Sequence, residues 1–252
     1  MTGFGEIDIT ILGPAFLAGL LVLATHVPLG QEVLKRGIIF IDLAIAQIAG
    51  LGVILASRLG WEAQGWKVQL FAISAALLAA WIFSLIERYW APVQEALIGV
   101  AFVLAATASI LLLAHNPHGG EHLQELLVGQ ILWVTWEQLL PVAVVTSLIL
   151  GMWLKGSQHL GRVGFYGLFA LAVTQSVQLV GVYLVFASLI IPALVSHNHP
   201  TSKALRLGYL TGSAGYAVGL VLSSILDLPS GALIVWCMAL LALIIRRWQP
   251  FK

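Results

Sequence analysis

One carboxylate lies inside an otherwise apolar stretch of the chain. Asp42 follows Gly37 by five residues, within an apolar run long enough to cross a membrane. At about 1.5 Å per residue, Asp42 would lie about 7.5 Å below the start of that span. A charge at such a depth is costly unless it is paired or lines a wet cavity. Asp42 is therefore either a ligand on a substrate pathway or a hydrogen-bonding partner of a neighbouring helix.

Most other residues of coordinating type lie between the apolar runs. The segment HNPHGGEH (115–122) brings together His115, His118 and His122. Imidazoles with a nearby carboxylate can bind zinc or another transition metal. The alternative is a solvated loop, since three histidines without a rigid framework need not bind anything.

The remaining candidates have simpler interpretations. His197 and His199 precede Pro200 and are expected to be polar loop residues, and His26 and His159 are solitary. Glu95 opens a later apolar run, where the N-terminus of a helix favours a carboxylate. We assign none of these residues a chemical role from its position alone.

Enzyme motifs are missing from the sequence. It contains no HExxH and no GxSxG, and none of its four internal lysines is followed by Ser or Thr, so it has no Walker A sequence. We predict that the chain is not an enzyme. If ATP drives its activity, another polypeptide must bind the nucleotide.

The elements that hold these residues follow from composition. Hydrophobic residues make up 60% of the 252 residues, charged residues 9%, and mean hydropathy is +0.99. A soluble fold of this size needs more charge on its surface, so a water-soluble protein is excluded. The net charge of +1 removes bulk attraction to nucleic acid. The sequence predicts a single all-α domain over 1–252, a polytopic bundle in the cell membrane.

Apolar runs and charge predict how often the chain crosses the membrane. A span takes about 20 apolar residues, and runs of that length occur at about 9–29, 37–57, 67–86, 94–114, 137–154, 204–225 and 231–248. The run 163–197 is too long for one crossing, and polar residues interrupt it near Gly181. Nine crossings with the N-terminus outside place ten of the twelve Lys and Arg residues inside, whereas eight place five there. The positive-inside rule favours nine over eight.

Glycines recur at four-residue spacing in the run 204–225. They form two pairs, Gly208 with Gly212 and Gly215 with Gly219. Small residues at this spacing let helix backbones approach closely. Packing within the chain is the favoured interpretation, and a subunit interface is the alternative.

Four segments, in order along the chain, resemble the permease subunits of zinc/manganese/iron-type ABC importers. LVGVYLVFASLIIPALVSH (179–197) is similar to that family's V-G-x-x-L-V-x-A-L-L-I-I-P-A signature. LLVGQILWVT (126–135), IGVAFVLAATASILLLA (98–114) and DLPSGALIV (227–235) resemble three further family segments. Each string alone is of low specificity, but their order and spacing agree over nearly the whole chain.

The resemblance implies a function and partners. It implies a permease that dimerises, sits on separate ATP-binding subunits, receives its ion from a binding protein and works by alternating access. No covalently bound cofactor is expected, because the partner subunit uses the ATP and the divalent metal ion is the substrate. The ATPase contact would fall after IIPA, on Ser196, His197, Lys203 and Arg206, where short helices would fit a groove of the partner.

Two departures from the family pattern bear on the substrate. The family motif G-D-A-L-S-H-A is here I-D-L-A-I-A-Q (41–47), so Asp42 matches the aspartate while Ala46 replaces the histidine. Gln47 is a second candidate for the pathway, but five residues of helix turn it about 140° from Asp42. The inner loop 155–162 is short and basic where the family carries an acidic stretch.

These departures leave alternatives for the cargo. The leading hypothesis is a divalent metal ion, zinc, manganese or iron. A metal chelate or vitamin-like substrate is the alternative within the ABC class, because loss of the histidine should weaken Zn²⁺ binding. An ion-coupled secondary carrier is a third possibility, against which the scarcity of titratable residues in the spans argues.

Overall fold

The computed structural model describes residues 9–61, 65–114, 116, 119–156, 161–197 and 199–247. These residues form ten α-helices and no strand, which confirms the all-α class. The helices are α1 (Ile9–Arg36), α2 (Ile41–Arg58), α3 (Trp66–Tyr89), α4 (Gln94–Leu113), α5 (Gly119–Val128), α6 (Trp136–Gly156), α7 (Gly161–Val180), α8 (Val182–Ser196), α9 (Thr201–Leu226) and α10 (Ser230–Arg247).

Hydropathy located the apolar helices well, but it did not predict α5, which begins within the segment expected to be an outer loop. Seven of the helices are long and apolar enough to cross a membrane, and the described part of α10 and all of α8 are shorter apolar helices. The run 163–197 divides at Gly181, which has φ of +80° and lies between the end of α7 and the start of α8. The polytopic helix bundle is therefore confirmed, and the division supplies the extra apolar helix that nine crossings require.

The described helices group into two compact units. The first comprises Met1–Arg36, Val128–Ser147 and Leu179–Lys252, and the second comprises Gly37–Leu127 and Leu148–Gln178. A single permease domain over 1–252 stays a prediction, because this grouping does not test it.

In the first unit, α9 packs against α1, α8 and α10. A Cβ on Gly208 or Gly212 would lie 2.7 or 2.5 Å from Val27 or Leu23 of α1. A Cβ on Gly219 would lie 2.5 Å from the Cα of Ile234 in α10. The small-residue face is thus occupied by helices of the same chain, as the packing interpretation predicted.

Three glycines from the family-like segments meet at one place in the first unit. Gly129 and Gly181 have φ of +72° and +80°, and a Cβ on Gly181 would lie 2.3 Å from the backbone nitrogen of Gly129. A Cβ on Gly231 would lie 2.7 Å from the Val128 carbonyl oxygen. Backbone contacts backbone here, which explains why glycine occupies all three positions.

In the second unit, α2 packs against α3 and α4. A Cβ on Gly52 of α2 would lie 3.1 Å from the Cα of Ala72, so these two helices are close neighbours. The side chain of Gln94 donates a hydrogen bond of 2.6 Å to the Tyr166 hydroxyl, which ties α4 to α7. A buried hydrogen bond thus joins two helices of a largely apolar unit.

Large apolar side chains cover the outer surfaces of α3, α4 and α6. Leu104, Leu111 and Leu140 have exposed fractions of 63%, 74% and 71%. A soluble protein rarely exposes so many, whereas lipid tails solvate them without cost. The same helices are the least buried spans of the chain.

Candidate functional site

Asp42 lies in the first turn of α2, which corrects the predicted depth. The span was expected to begin at Gly37, but α1 ends at Arg36, Gly37 adopts φ of +69° and α2 begins only at Ile41. Hydropathy could not detect this, because residues 37–40 include apolar residues such as Ile38 and Phe40 that form the turn. Asp42 is therefore the second residue of the helix rather than one a full turn inside it.

The Asp42 carboxylate is buried without a partner. Its side chain is 1% exposed, and neither oxygen has a hydrogen-bond partner among the described residues. The positive end of the α2 dipole favours a negative charge at this position. A buried carboxylate with both oxygens free is costly by itself and well suited to a passing cation.

Glu95 has the structural role that its position suggested, and it also reaches α2. It lies in the first turn of α4, and its Oε1 accepts a hydrogen bond of 3.0 Å from the backbone N–H of Phe40. Phe40 precedes α2, so Glu95 satisfies one of the N–H groups at the start of that helix. This bond holds the turn that carries Asp42.

Two further residues of the segment 41–47 are also buried. Ala46, one turn after Asp42, is 1% exposed, and Gln47 is 6% exposed. No imidazole stands beside Asp42 on its own helix. Whether Asp42 and Gln47 contact a substrate stays a prediction.

His26 is a buried histidine to which the sequence analysis gave no role. It lies in α1, is fully buried, and its Nδ1 lies 2.9 Å from the Val22 carbonyl oxygen. Its Nε2 has no hydrogen-bond partner among the described residues. The available signal was the same one that marked Asp42, a titratable side chain within an apolar span, but His26 was set aside as solitary.

A polar cleft lies where α1, α8 and α9 meet, at the end that the charge distribution places inside. It encloses about 70 Å³ and is lined by Gln31, Leu34, Lys35, Ala193, Ser196, His197, His199, Thr201 and Ala204. Ser196 is bonded to its own helix and accepts a hydrogen bond of 3.5 Å from Gln31 of α1. Among the described residues that line this cleft, none is acidic.

The predicted ATPase-contact residues are distributed over this end of the molecule. Ser196 and His197 line the cleft, whereas Lys203 and Arg206 are exposed on the first two turns of α9. The expected short helices are not found in the described part of the segment, because Pro200 caps a 26-residue helix that begins at Thr201. The charges therefore project from the start of a long span.

The predicted histidine cluster lies outside the part of the chain that the structure describes in full. His115 and His118 lie outside the described residues, and His122 lies in α5 with its side chain outside the description. Among the described residues no group of three or more His, Cys, Asp or Glu side chains could hold a metal ion. The weak metal site at 115–122 stays a prediction.

Comparison with known proteins covers nearly the whole chain. The profile of the ABC 3 transport family matches residues 8–161 and 156–248. The uncharacterized membrane protein slr2045 of Synechocystis sp. is 25% identical over 244 residues, which cover 88% of this chain and 84% of that protein.

Two solved structures share the fold. PsaBC from Streptococcus pneumoniae, solved in complex with Fab, gives a TM-score of 0.76 at 22% identity, covering 94% of this chain and 91% of that one. A metal-chelate type ABC transporter in an inward-facing conformation gives 0.67 at 18% identity, covering 97% and 89%. At these identities the likeness concerns the fold alone.

Proposed function

The chain belongs to the ABC 3 transport family as a multi-pass membrane permease, and from that premise we propose that it carries a divalent metal ion inward, driven by a separate ATPase. The observation that carries the proposal is the family match over both halves of the chain. Membership of an ABC family favours ATP over an ion gradient as the driving force. Zinc, manganese and iron are the candidate ions.

Asp42 supports a cationic cargo. Its two carboxylate oxygens are buried at the positive end of α2 with no hydrogen-bond partner in the described part of the chain, and hard or borderline dications prefer such oxygens. Gln47 lies further along the same helix and about 140° around it from Asp42, so its neutral oxygen would meet the cargo at a different point of the pathway. We propose both as pathway residues.

The basic inner end supports an ATPase contact. The permease of an ABC transporter works with an ATP-binding subunit and a substrate-binding protein, and two copies of this chain would form the full pore. Lys203 and Arg206 are exposed beside the cleft, and none of its described lining residues is acidic. Because α1, α8 and α9 meet at the cleft, movement of a partner bound there would be transmitted to three spans.

A metal chelate is the second candidate cargo. One structural relative is a metal-chelate type ABC transporter with a TM-score of 0.67. The absence of an imidazole at Ala46 also weakens the case for a tightly bound free ion. Competition separates the two cargoes, since uptake of the free ion, but not of the chelate, is stopped by a chelator that binds the metal more weakly than the carrier ligand does.

The test is uptake in proteoliposomes that contain the permease, its ATPase and its binding protein. We expect ATP-dependent accumulation of Zn²⁺, Mn²⁺ or Fe²⁺, and no ATP hydrolysis by the permease alone. Accumulation that requires the chelated metal would support the second candidate. If neither form accumulated, the proposal of a metal cargo would be wrong.

A further inference from the structure

His26 lies deep in a membrane span. Ten residues separate it from Arg36 at the inner end of α1, which corresponds to about 15 Å along the helix axis. The hydrocarbon core is about 30 Å thick, so this depth is near the bilayer midplane. Transporters commonly place their substrate sites at that depth.

The hydrogen bonds around His26 determine its tautomer. Nδ1 lies 2.9 Å from the carbonyl oxygen of Val22, and a carbonyl oxygen can only accept a hydrogen bond. Nδ1 therefore carries the proton. The Thr25 hydroxyl lies 3.1 Å from the same nitrogen and itself donates to the Val22 carbonyl. In the neutral ring, Nε2 consequently bears a free lone pair.

That lone pair has nothing to accept among the described residues. His26 is 0% exposed, and Nε2 is buried without a hydrogen-bond donor. A histidine that served only to fill the core would leave this acceptor desolvated at a cost. An imidazole whose Nδ1–H is bonded to a backbone carbonyl while Nε2 is open has the arrangement of a metal ligand.

The helix that carries His26 is held firmly. Pro28 has no N–H, so the carbonyl of Ala24 lacks its usual helical donor. The Tyr209 hydroxyl of α9 donates to that carbonyl at 3.1 Å. Gly208 and Gly212 allow α9 to approach α1 on either side of this bond. A ligand on so constrained a segment is preorganised.

We propose that Nε2 of His26 binds the metal cation in transit near the midplane. This inference rests on the proposed function and adds a ligand to it. A neutral imidazole favours a transition metal such as Zn²⁺ over Ca²⁺ or Mg²⁺. His26 thereby supplies an imidazole in a chain whose α2 lacks one at Ala46.

The experiment uses the reconstituted permease–ATPase complex with its binding protein. His26→Asn keeps an N–H close to where Nδ1 donates to Val22 but removes Nε2, and His26→Gln retains a polar group near Nε2. We expect folded protein in which Zn²⁺ uptake falls roughly tenfold or more. Thr211→Val is the matched control, since it removes a buried hydroxyl that donates to the Leu207 carbonyl of its own helix α9, and it should leave uptake near the wild-type level.

Zinc K-edge absorption gives a second readout that does not depend on transport. In a background lacking the outer histidines (His115, His118 and His122 to Asn), bound Zn²⁺ should show imidazole scattering that disappears in His26→Asn. Wild-type uptake together with an unchanged spectrum in His26→Asn would overturn the inference about His26 but not the proposed function. A wild-type complex that transports no metal would overturn the proposed function. If neither His26 variant folds, the inference about His26 is overturned by a background spectrum that lacks imidazole scattering.

Discussion

At the scale of the residue, the side chains of Asp42 and His26 are both buried in apolar helices, and their hydrogen-bonding groups are satisfied to different degrees. Both oxygens of Asp42 lack partners among the described residues, while His26 uses Nδ1 and leaves Nε2 open. Buried polar groups in native proteins are almost always bonded, so groups left open call for an explanation. For both residues a cation in transit would supply the missing partner.

Asp42→Asn should separate a ligand from a structural residue. The amide keeps the size of the side chain and costs less to bury than an unpaired carboxylate, so folded protein should be retained. Metal uptake should fall sharply, because a neutral oxygen is a poorer ligand for a dication. Expression level and uptake are to be measured on the same preparation.

The matched control for this variant is Asp227→Asn. Asp227 is exposed and adopts φ of +54°, a conformation that Asn tolerates, so the variant removes one carboxylate without strain. It should transport as the wild type does. Stable Asp42→Asn protein with wild-type uptake would remove Asp42 from the pathway, and loss of folded protein with normal specific uptake would make it structural.

At the scale of the element, hydropathy predicted the helices better than it predicted the turns between them. The apolar runs gave most ends of the spanning helices to within a few residues, since a lipid-exposed helix must be apolar along its whole length. They ended α1 seven residues too early and missed α5, which is less apolar. The predicted start of α2 was wrong, because the turn at 37–40 is as apolar as a membrane helix. The open nitrogen of His26 could not be foreseen either, because it depends on a bond within α1 that composition does not report.

Alanine at three helical glycines should distinguish backbone contact from side-chain contact. A Cβ on Gly219 meets the Cα of Ile234 at 2.5 Å, whereas a Cβ on Gly212 meets only the end of the Leu23 side chain. Gly219→Ala should therefore destabilise the protein by about 1–3 kcal/mol, and Gly212→Ala by less. Gly151 has nothing within 4 Å, so Gly151→Ala should be neutral or stabilising.

Reversible unfolding in mixed micelles would rank these three variants. Equal loss of stability at Gly219 and Gly212 would mean that the backbones of α9 and α10 can separate freely. Destabilisation by Gly151→Ala would show that the open side of α6 is occupied in the membrane, for example by a second subunit.

Alanine at Gly181 should be more harmful than alanine at Gly161. Both glycines have positive φ, +80° and +56°, so both variants carry the strain of a left-handed backbone. Only Gly181 has backbone in the way, with a Cβ 2.3 Å from the Gly129 nitrogen. We expect Gly161→Ala to lose about 1–2 kcal/mol and Gly181→Ala to lose folded protein, measured by monodisperse yield. Similar yields would show that the junction of Gly129 and Gly181 can relax.

At the scale of the whole molecule, the exposed apolar side chains indicate contact with lipid, whereas the exposed basic residues indicate contact with a partner subunit. The spans expose large apolar side chains to lipid, whereas three exposed basic residues, Lys35, Lys203 and Arg206, lie at the end of α1 and in the first two turns of α9. The sequence predicted this polarity by the positive-inside rule, but the partners themselves came only from the resemblance to ABC permeases. A chain without a Walker A sequence needs such a partner to use ATP.

Charge reversal at the inner end tests whether that partner binds there. Lys203→Glu with Arg206→Glu replaces two exposed cations beside the cleft with anions. An acidic surface on the ATPase would then be repelled, and the rate constant for association of the two subunits would fall. Co-purification of the ATPase subunit should fall, more so at low ionic strength because salt screens the repulsion. Lys67→Glu reverses an exposed charge at the start of α3, on the outer side, and should leave the complex intact. Full complex formation and full transport by the double variant would exclude the first turns of α9 as the coupling element, while equal weakening by Lys67→Glu would attribute the effect to net charge rather than to a contact.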